Sequence, residues 1–320
     1  MRDLFGRNLT YLRVSVTDRC NLRCSYCMPP EGIKLRPHYV LLTLEEIHRL
    51  CQVFAQLGVQ KLKVTGGEPL VRKGVAEWLS TVAAIPGINE VTLTTNGVQL
   101  SSFLPQIQRA GVKAINISLD TLDKDKYRRL TGSDNLETVL AGLRQAVNMG
   151  ITTKVNVVPL RGVNEVEYPA LAALTQEGVK AVRFIELMPV GYGADSNGVL
   201  ITEVKEALEA EYGSLQKADE VLGNGPAEYY TLANGGKVGF ITAVSHAFCS
   251  SCNRLRLTSD GYLKMCLAYE AGVDLKKPMR RGAADEDLKQ LILEAVRRKP
   301  LMHCFATEKA EGNGMYAIGG

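Results

Sequence analysis

Six short runs of apolar and β-branched residues recur through the first two-thirds of the chain, at 12–17, 61–65, 90–94, 114–119, 153–158 and 181–186, each bounded by turn residues. Between them lie amphipathic stretches. One opens at Thr43 with the pattern Thr-x-x-Glu, a capping box, and continues with Ile47, Leu50, Cys51, Phe54 and Leu57 at helical spacing. Others run over 75–84, 101–110, 136–149 and 168–177. Strands alternating with helices give a parallel α/β sheet, whose ligands gather at the strand C-terminal ends. The alternation alone fits a doubly wound sheet and an incomplete barrel equally. Past Gly191 the rhythm breaks: glycines 191, 193 and 198 precede a helix over 202–211, and Gly223-Asn224-Gly225-Pro226 marks a boundary. Short strands at 229–232 and 237–244, a hairpin around 259–261 and a helix over 285–298 follow.

The cysteines carry the chemistry. Eight of them in a chain with no apolar leader and no 20-residue apolar run lead to the expectation of a cytoplasmic protein, where clustered thiols bind metal or react rather than form disulfides. Cys20, Cys24 and Cys27 fall within one loop after the first strand. Three thiolates fit either a four-iron cluster with one open iron or a zinc ion closed by a distant fourth ligand. A second trio, Cys249, Cys252 and Cys266, follows the same count, with His246 available to complete a Cys3His zinc site. Cys51 reads as a core residue; Cys304 as buried or reactive. The four histidines form no HxxxH or HExxH pattern, against a histidine-based zinc hydrolase. The net charge of +4, from 38 basic and 34 acidic residues, is too mild for a nucleic-acid coat.

CxxxCxxC with Tyr26 before the third cysteine resembles the signature of the radical S-adenosylmethionine (SAM) superfamily. The resemblance implies an incomplete (βα)6 barrel with a smaller C-terminal cluster-binding region, divided as 4–227 and 228–320. It implies that Cys20, Cys24 and Cys27 hold a [4Fe–4S] cluster whose open iron SAM chelates, yielding a 5′-deoxyadenosyl radical. Gly66-Gly67-Glu68-Pro69 ends the second strand, and the free N–H groups of its two glycines suit a carboxylate or carbonyl. It resembles the family motif that meets the SAM amino group, and Tyr26, Gly67, Glu68, Ser118 and Met188 are the implied SAM contacts. By alternation Ser118 and Asp120 share one side of their strand.

On strand geometry Arg254 and Arg256, between the second set of cysteines, point the same way, a pair shaped for phosphate. CxxC-x13-C enclosing Asn-Arg-Leu-Arg, with TGGEPLVR, TTNG, SLD and a Gly-Gly end, resembles the branch of the superfamily that cyclises GTP in the first step of molybdenum cofactor biosynthesis. That resemblance implies a second [4Fe–4S] cluster on Cys249, Cys252 and Cys266 that binds guanine. It implies GTP contacts at Arg13, Lys63, Thr94, Lys154, Arg254, Leu255 and Arg256, and catalytic roles for Arg254, Arg256, Gly319 and Gly320. The two clusters are expected to face each other across the barrel mouth. The implied partners are GTP, an electron donor and the pyranopterin monophosphate synthase that takes the product, with no nucleic acid or membrane, in a monomer or homodimer. The rivals are a radical peptide maturase with an auxiliary cluster, and a zinc-stabilised binding protein without catalysis.

Overall fold

The computed structural model describes residues 1–29, 31–33, 36–220, 222–223, 225–305 and 314–319. Every expected strand of the first two-thirds is present. The elements run β1 (Tyr11–Ser15), α1 (Leu44–Gln56), β2 (Lys61–Thr65), α2 (Val75–Ala83), β3 (Glu90–Thr95), α3 (Leu100–Arg109), β4 (Ala114–Ser118), α4 (Lys124–Thr131), α5 (Leu136–Asn148), β5 (Thr153–Val157), α6 (Tyr168–Ala173) and β6 (Ala181–Ile185). Several strands stop a residue or two before their expected ends, because the chain there turns out of the ladder; Val158 and Glu186, counted as strand, line the cavity described below. The capping box forms: Thr43 Oγ1 accepts from the Glu46 N–H at 3.1 Å, and Glu46 Oε2 accepts from the Thr43 N–H at 2.8 Å. Cys51 is in the core, with no accessible surface. The expected helix over 168–177 tightens after Ala173 into a 3-10 turn, Leu174–Glu177, ended by Gly178 at φ 91°. Helix α4 escapes periodicity because only Tyr127, Leu130 and Thr131 are buried on an otherwise charged segment; Asp123 caps it and Gly132 ends it.

The remaining elements are α7 (Ile201–Tyr212), β7 (Gln216–Lys217), β8 (Glu228–Thr231), β9 (Lys237–Ile241), β10 (Arg254–Leu257), β11 (Tyr262–Lys264), β12 (Gly272–Asp274), α8 (Lys276–Arg280), α9 (Asp285–Arg297) and α10 (Met315–Ile318). All strands join one sheet in the order β12-β11-β10-β1-β2-β3-β4-β5-β6-β9-β8-β7. The six core strands lie in simple chain order, which excludes the doubly wound alternative, whose order reverses at a switch point. β10 pairs parallel with β1 and β9 parallel with β6, so the parallel array is extended at both edges; antiparallel hairpins finish it. Among the described residues no ladder joins β12 to β7, and the barrel is open. The expected division at residue 227 falls inside the paired β7–β8 hairpin, so the C-terminal region is built onto the same sheet. No described helix is long and apolar enough to cross a membrane.

The two faces of the sheet differ. Leu12, Val14, Leu62, Val64, Leu93, Ile115, Ile117, Val155, Val182, Phe184, Leu255 and Leu257 are buried in the apolar core. The alternate positions are Tyr11 and Arg13 on β1, Lys63 on β2, Thr94 on β3, Ser118 on β4, Asn156 on β5, Arg183 on β6, and Arg254 and Arg256 on β10, and these line a cavity. Parallel strands covered on both faces normally read as continuous apolar runs; here period-two alternation puts polar side chains on the concave face.

Replacing Thr43 by Ala removes one half of the capping box, and unfolding in urea should show a loss of about 1 kcal/mol. Thr43→Ser should retain most of it; equal losses in both variants would contradict this role.

Candidate active site

The concave face encloses a cavity of about 320 Å3 that all six clustered cysteines line. Cys20, Cys24 and Cys27 leave the C-terminal end of β1. The loop turns back on itself through Cys27 N–H and Met28 N–H, both donating to Cys24 O, at 2.8 and 3.0 Å. It is fastened outside by Arg23 N–H to Thr131 O and Ser25 N–H to Leu130 O, at 2.8 and 2.9 Å. Inside, Gly67 N–H donates to Thr17 O at 2.7 Å and Glu68 N–H to Arg19 O at 2.8 Å. The Gly67 and Glu68 N–H groups are therefore engaged in holding the cysteine loop, contrary to the expectation that the glycine N–H groups are free for a carboxylate or carbonyl. A Cβ at Gly66 would lie 2.7 Å from Thr17 O, and one at Gly67 would collide with Arg19 O, so glycine is required by backbone approach.

Glu68 also departs from expectation. It does not line the cavity but lies beneath its wall, 1% exposed. Its carboxylate accepts from Leu70 N–H at 3.0 Å, Thr95 Oγ1 at 2.8 Å and Asn96 N–H at 2.6 Å, bracing the Thr-Asn-Gly turn. Burial raises its carboxyl to about 7 against these hydrogen bonds. Asn96 in turn donates to Asn21 Oδ1 at 2.8 Å beside the cysteine loop. Tyr26, Gly67, Ser118 and Met188 do line the cavity. Asp120 joins them: it accepts from Tyr26 OH and Val158 N–H, each at 2.7 Å, and burial raises its carboxyl to about 6.

The second trio sits at the other end of the strands. Because β10 is parallel to β1, with Tyr11 opposite Arg254, residues preceding β10 lie level with residues preceding β1. Cys249 and Cys252 precede β10; Cys266 follows β11, which is antiparallel to β10 and returns to the same end. The two trios therefore do not face each other across the mouth. They lie at opposite ends of neighbouring strands, with the polar sheet face between them. Arg7, ahead of β1, clamps this end: its guanidinium donates to Cys249 O at 2.8 Å, Leu301 O at 3.0 Å and Pro300 O at 2.7 Å, and pairs with Asp3 at 2.5 Å. Lys299 donates to Arg254 O at 3.0 Å and Met265 O at 2.5 Å. Glu186 accepts from Val244 N–H, Ser245 N–H and Ser245 Oγ at 2.8, 2.9 and 2.5 Å, holding the approach to Cys249.

Burial raises the thiols of Cys20 and Cys24 and brings Cys27 to about 12. Burial also raises Cys249, whereas Cys252 is lowered because Lys299 and Arg254 outweigh its own desolvation. Thiols of this kind fit a cationic inorganic centre that takes them as thiolates. Among the described residues no three His, Cys, Asp or Glu side chains could hold one metal ion, and His246 is exposed. Each trio lines the cavity, and a set of three thiols is the donor set that suits an iron–sulfur cube with one open iron.

Between the trios the face is cationic. Arg256 is opposite Arg13, and Arg13 opposite Lys63, across β10, β1 and β2. Arg183, absent from the sequence reading, joins them from β6 and donates to Asn156 Oδ1 at 2.6 Å and to Asn116 Oδ1. Burial, then Arg183, Arg13, Lys154 and Arg254, hold Lys63 well below the ordinary lysine range. Burial, then Arg13 and Arg254, bring Arg256 down to about 9. The Arg254 guanidinium lies 4.6 Å from the centre of the Phe248 ring. Thr94 lines the same cavity, as expected. Two expected GTP contacts do not. Leu255 is fully buried in the apolar core. Lys154 lines a smaller adjoining cavity of about 30 Å3, shared with Lys63 and Arg183, and donates to Leu222 O; burial lowers it to about 8.

The tail enters the barrel. The Gly319 carbonyl accepts from Arg13 at 3.3 Å and Arg256 at 3.1 Å. Gly319 has φ 84°, and a Cβ there would lie 2.7 Å from Thr65 Cγ2, so no other residue fits. Gly320 lies outside the described residues. Applied to every core strand, period-two alternation would have singled out Arg183; Arg7 and Lys299 carry no local signal.

Comparison with known proteins agrees with this geometry. Residues 14–175 match the family model of the radical SAM superfamily, and residues 180–305 the model described as Molybdenum Cofactor Synthesis C. A GTP 3′,8-cyclase of Pelotomaculum thermopropionicum is 46% identical over a 325-residue alignment covering all of both chains. That of Moorella thermoacetica is 44% identical over 324 residues, again covering all of both. Among solved structures, Streptococcus suis SuiB resembles the chain with a TM-score of 0.64 at 16% identity, covering 92% of this chain and 67% of SuiB, a likeness of fold. With both halves matched in order and relatives aligned from end to end, the chain belongs to the radical SAM superfamily and, within it, to the GTP 3′,8-cyclase family.

Proposed function

We infer that the protein is a radical SAM lyase that converts GTP to (8S)-3′,8-cyclo-7,8-dihydroguanosine 5′-triphosphate, the first step of molybdenum cofactor biosynthesis. The observation that carries this reading is one cavity with a cysteine trio at each end of its strands and buried cations between them. A cluster and SAM, when bound, supply the 5′-deoxyadenosyl radical that takes the ribose 3′ hydrogen and so lets that carbon attack C8 of guanine.

The chain's own residues bind and position. Cys20, Cys24 and Cys27 hold the first [4Fe–4S] cluster, and Cys249, Cys252 and Cys266 a second one that takes the guanine base. The SAM ammonium needs acceptors; with the Gly67 and Glu68 N–H groups turned to the cysteine loop, carbonyl oxygens of this motif are left to supply them. Tyr26, Ser118 and Met188 line the SAM end, with Asp120 added to them. Glu68 is a positioning residue through Thr95 and Asn96. Arg13, Lys63, Thr94, Arg183, Arg254 and Arg256 take the nucleotide, the cations facing the triphosphate, since burying several like charges together is costly until an anion arrives. Lys154 reaches it through the adjoining cavity. Gly319 places the tail against Arg13 and Arg256, and Gly320 shares its catalytic role. Residues 4–227 act as the SAM-cleaving part and 228–320 as the nucleotide-binding part. The enzyme works in the cytoplasm as a monomer or homodimer, takes electrons from a reduced carrier, and passes its product to the pyranopterin monophosphate synthase.

Anaerobic incubation with reductant, SAM and GTP should yield 5′-deoxyadenosine only when GTP is present, with ATP unable to replace it; formation indifferent to the nucleotide would refute the reading. Arg183→Ala should raise KM for GTP about tenfold or more, the equivalent of a lost charge-assisted hydrogen bond, while calorimetry finds SAM affinity unchanged. Deleting Gly319 and Gly320 should likewise spare SAM binding yet abolish cyclisation; normal product yield from the truncated enzyme would remove the tail from the mechanism.

A further inference from the structure

The two trios line one cavity but stand in opposite electrostatic surroundings. Around the first, the buried carboxyls Glu68 and Asp120, 1% and 6% exposed, act on Cys20 and Cys24. One cation, Arg23, also acts on Cys20; its guanidinium donates to the backbone carbonyls of Cys20 and Leu22 at 2.8 and 2.9 Å. Around the second, the charged side chains acting on Cys249 and Cys252 are Arg7, which is paired with Asp3 at 2.5 Å, and the cations Lys299, Arg254 and Arg256. Besides Asp120, the cavity is lined by the Glu186 carboxylate, which is tied by three hydrogen bonds to residues 244 and 245.

Lys299 is the centre of this arrangement. It follows α9, is 4% exposed, and its ammonium donates to two carbonyls, Arg254 O and Met265 O. Arg254 stands two residues after Cys252, and Met265 immediately before Cys266. One side chain thus ties together the two segments that carry these cysteines, and it brings a positive charge to them from outside the cysteine motif. A four-iron cluster gains one negative charge on reduction, and its potential follows local charge and hydrogen bonding. In a low-dielectric interior a fixed cation favours the reduced form, and a nearby carboxylate opposes it.

We propose that Lys299 is a positioning residue of the second cysteine site, and that with Arg254 and Arg256 it makes the cluster held there the more easily reduced of the two. This rests on the reading that both trios hold clusters.

The test uses full-length holoprotein reconstituted anaerobically with iron and sulfide, without SAM or GTP, in three forms: wild type, Lys299→Met and Lys299→Arg. Iron content is measured, and midpoint potentials are read by redox titration followed by electron paramagnetic resonance. A companion protein with Cys20, Cys24 and Cys27 all changed to Ser assigns the steps. The wild type should bind about eight irons per chain and titrate in two steps, and the companion should retain only the more positive one. Lys299→Met should move that step downward and leave the other in place; Lys299→Arg should keep both. If Lys299→Met sheds the second cluster, Lys299→Arg decides: a retained cluster at the wild-type step supports the proposal, and a lost or displaced one overturns it. Unmoved steps in Lys299→Met, or a companion titrating at the more negative step, overturn the proposal alone. A wild type with about four irons overturns the two-cluster reading with it.

Discussion

The constraint on which the rest depends is the crowd of buried cations on the inner face of the sheet. Lys63 lies among Arg13, Arg183, Lys154 and Arg254, and each of these adds to the cost of its charge. A protein can keep such a group only if rigid structure prevents the side chains from swinging to water. Here the rigidity comes from ladder registration: Arg256, Arg13 and Lys63 occupy matched positions on three hydrogen-bonded parallel strands. Asn116 and Asn156 hold Arg183 from two further strands. Stability is given up at this face and regained on the opposite one, where Leu, Val and Ile from the same strands pack under the helices. A polyanion is the ligand that reverses the balance.

The cysteine loops are set by the same ladders. The first trio is fastened to the Gly-Gly-Glu turn of the next βα unit by two backbone hydrogen bonds that require glycine at 66 and 67. The buried Glu68 then ties that turn to the following one through Thr95 and Asn96. Three consecutive loops of the rim are thereby one hydrogen-bonded unit. The second trio has no such neighbours in sequence and depends on remote side chains, Arg7 from before β1 and Lys299 from after α9.

This difference explains what could be read from the sequence. The strands, the capping box at Thr43 and both cysteine trios depend on local pattern, and they are legible. The concave cation face was half legible: alternation marked Arg254 and Arg256, and the same rule on β6 marks Arg183 once the strand's inner side is known. Leu255 was misplaced for want of that rule, since it alternates with the arginines and must face the helices. Glu68 and the motif N–H groups were assigned to ligand because a sequence shows which groups are available, not which are already bonded. Arg7 and Lys299 bond to backbone carbonyls, which carry no side-chain signature at all.

The placement of the second trio follows from strand direction. A C-terminal strand added antiparallel to β1 would have brought its preceding cysteines to the rim, beside the first trio. Parallel addition sends them to the opposite end, level with Arg7. A strand rises about 3.3 Å per residue, so the five residues of β1 separate the two sites by roughly 15 Å, with the cations between. The rigid sheet fixes the spacing of the two trios and of the cations between them, and the tail at Gly319 docks on the same face through Arg13 and Arg256.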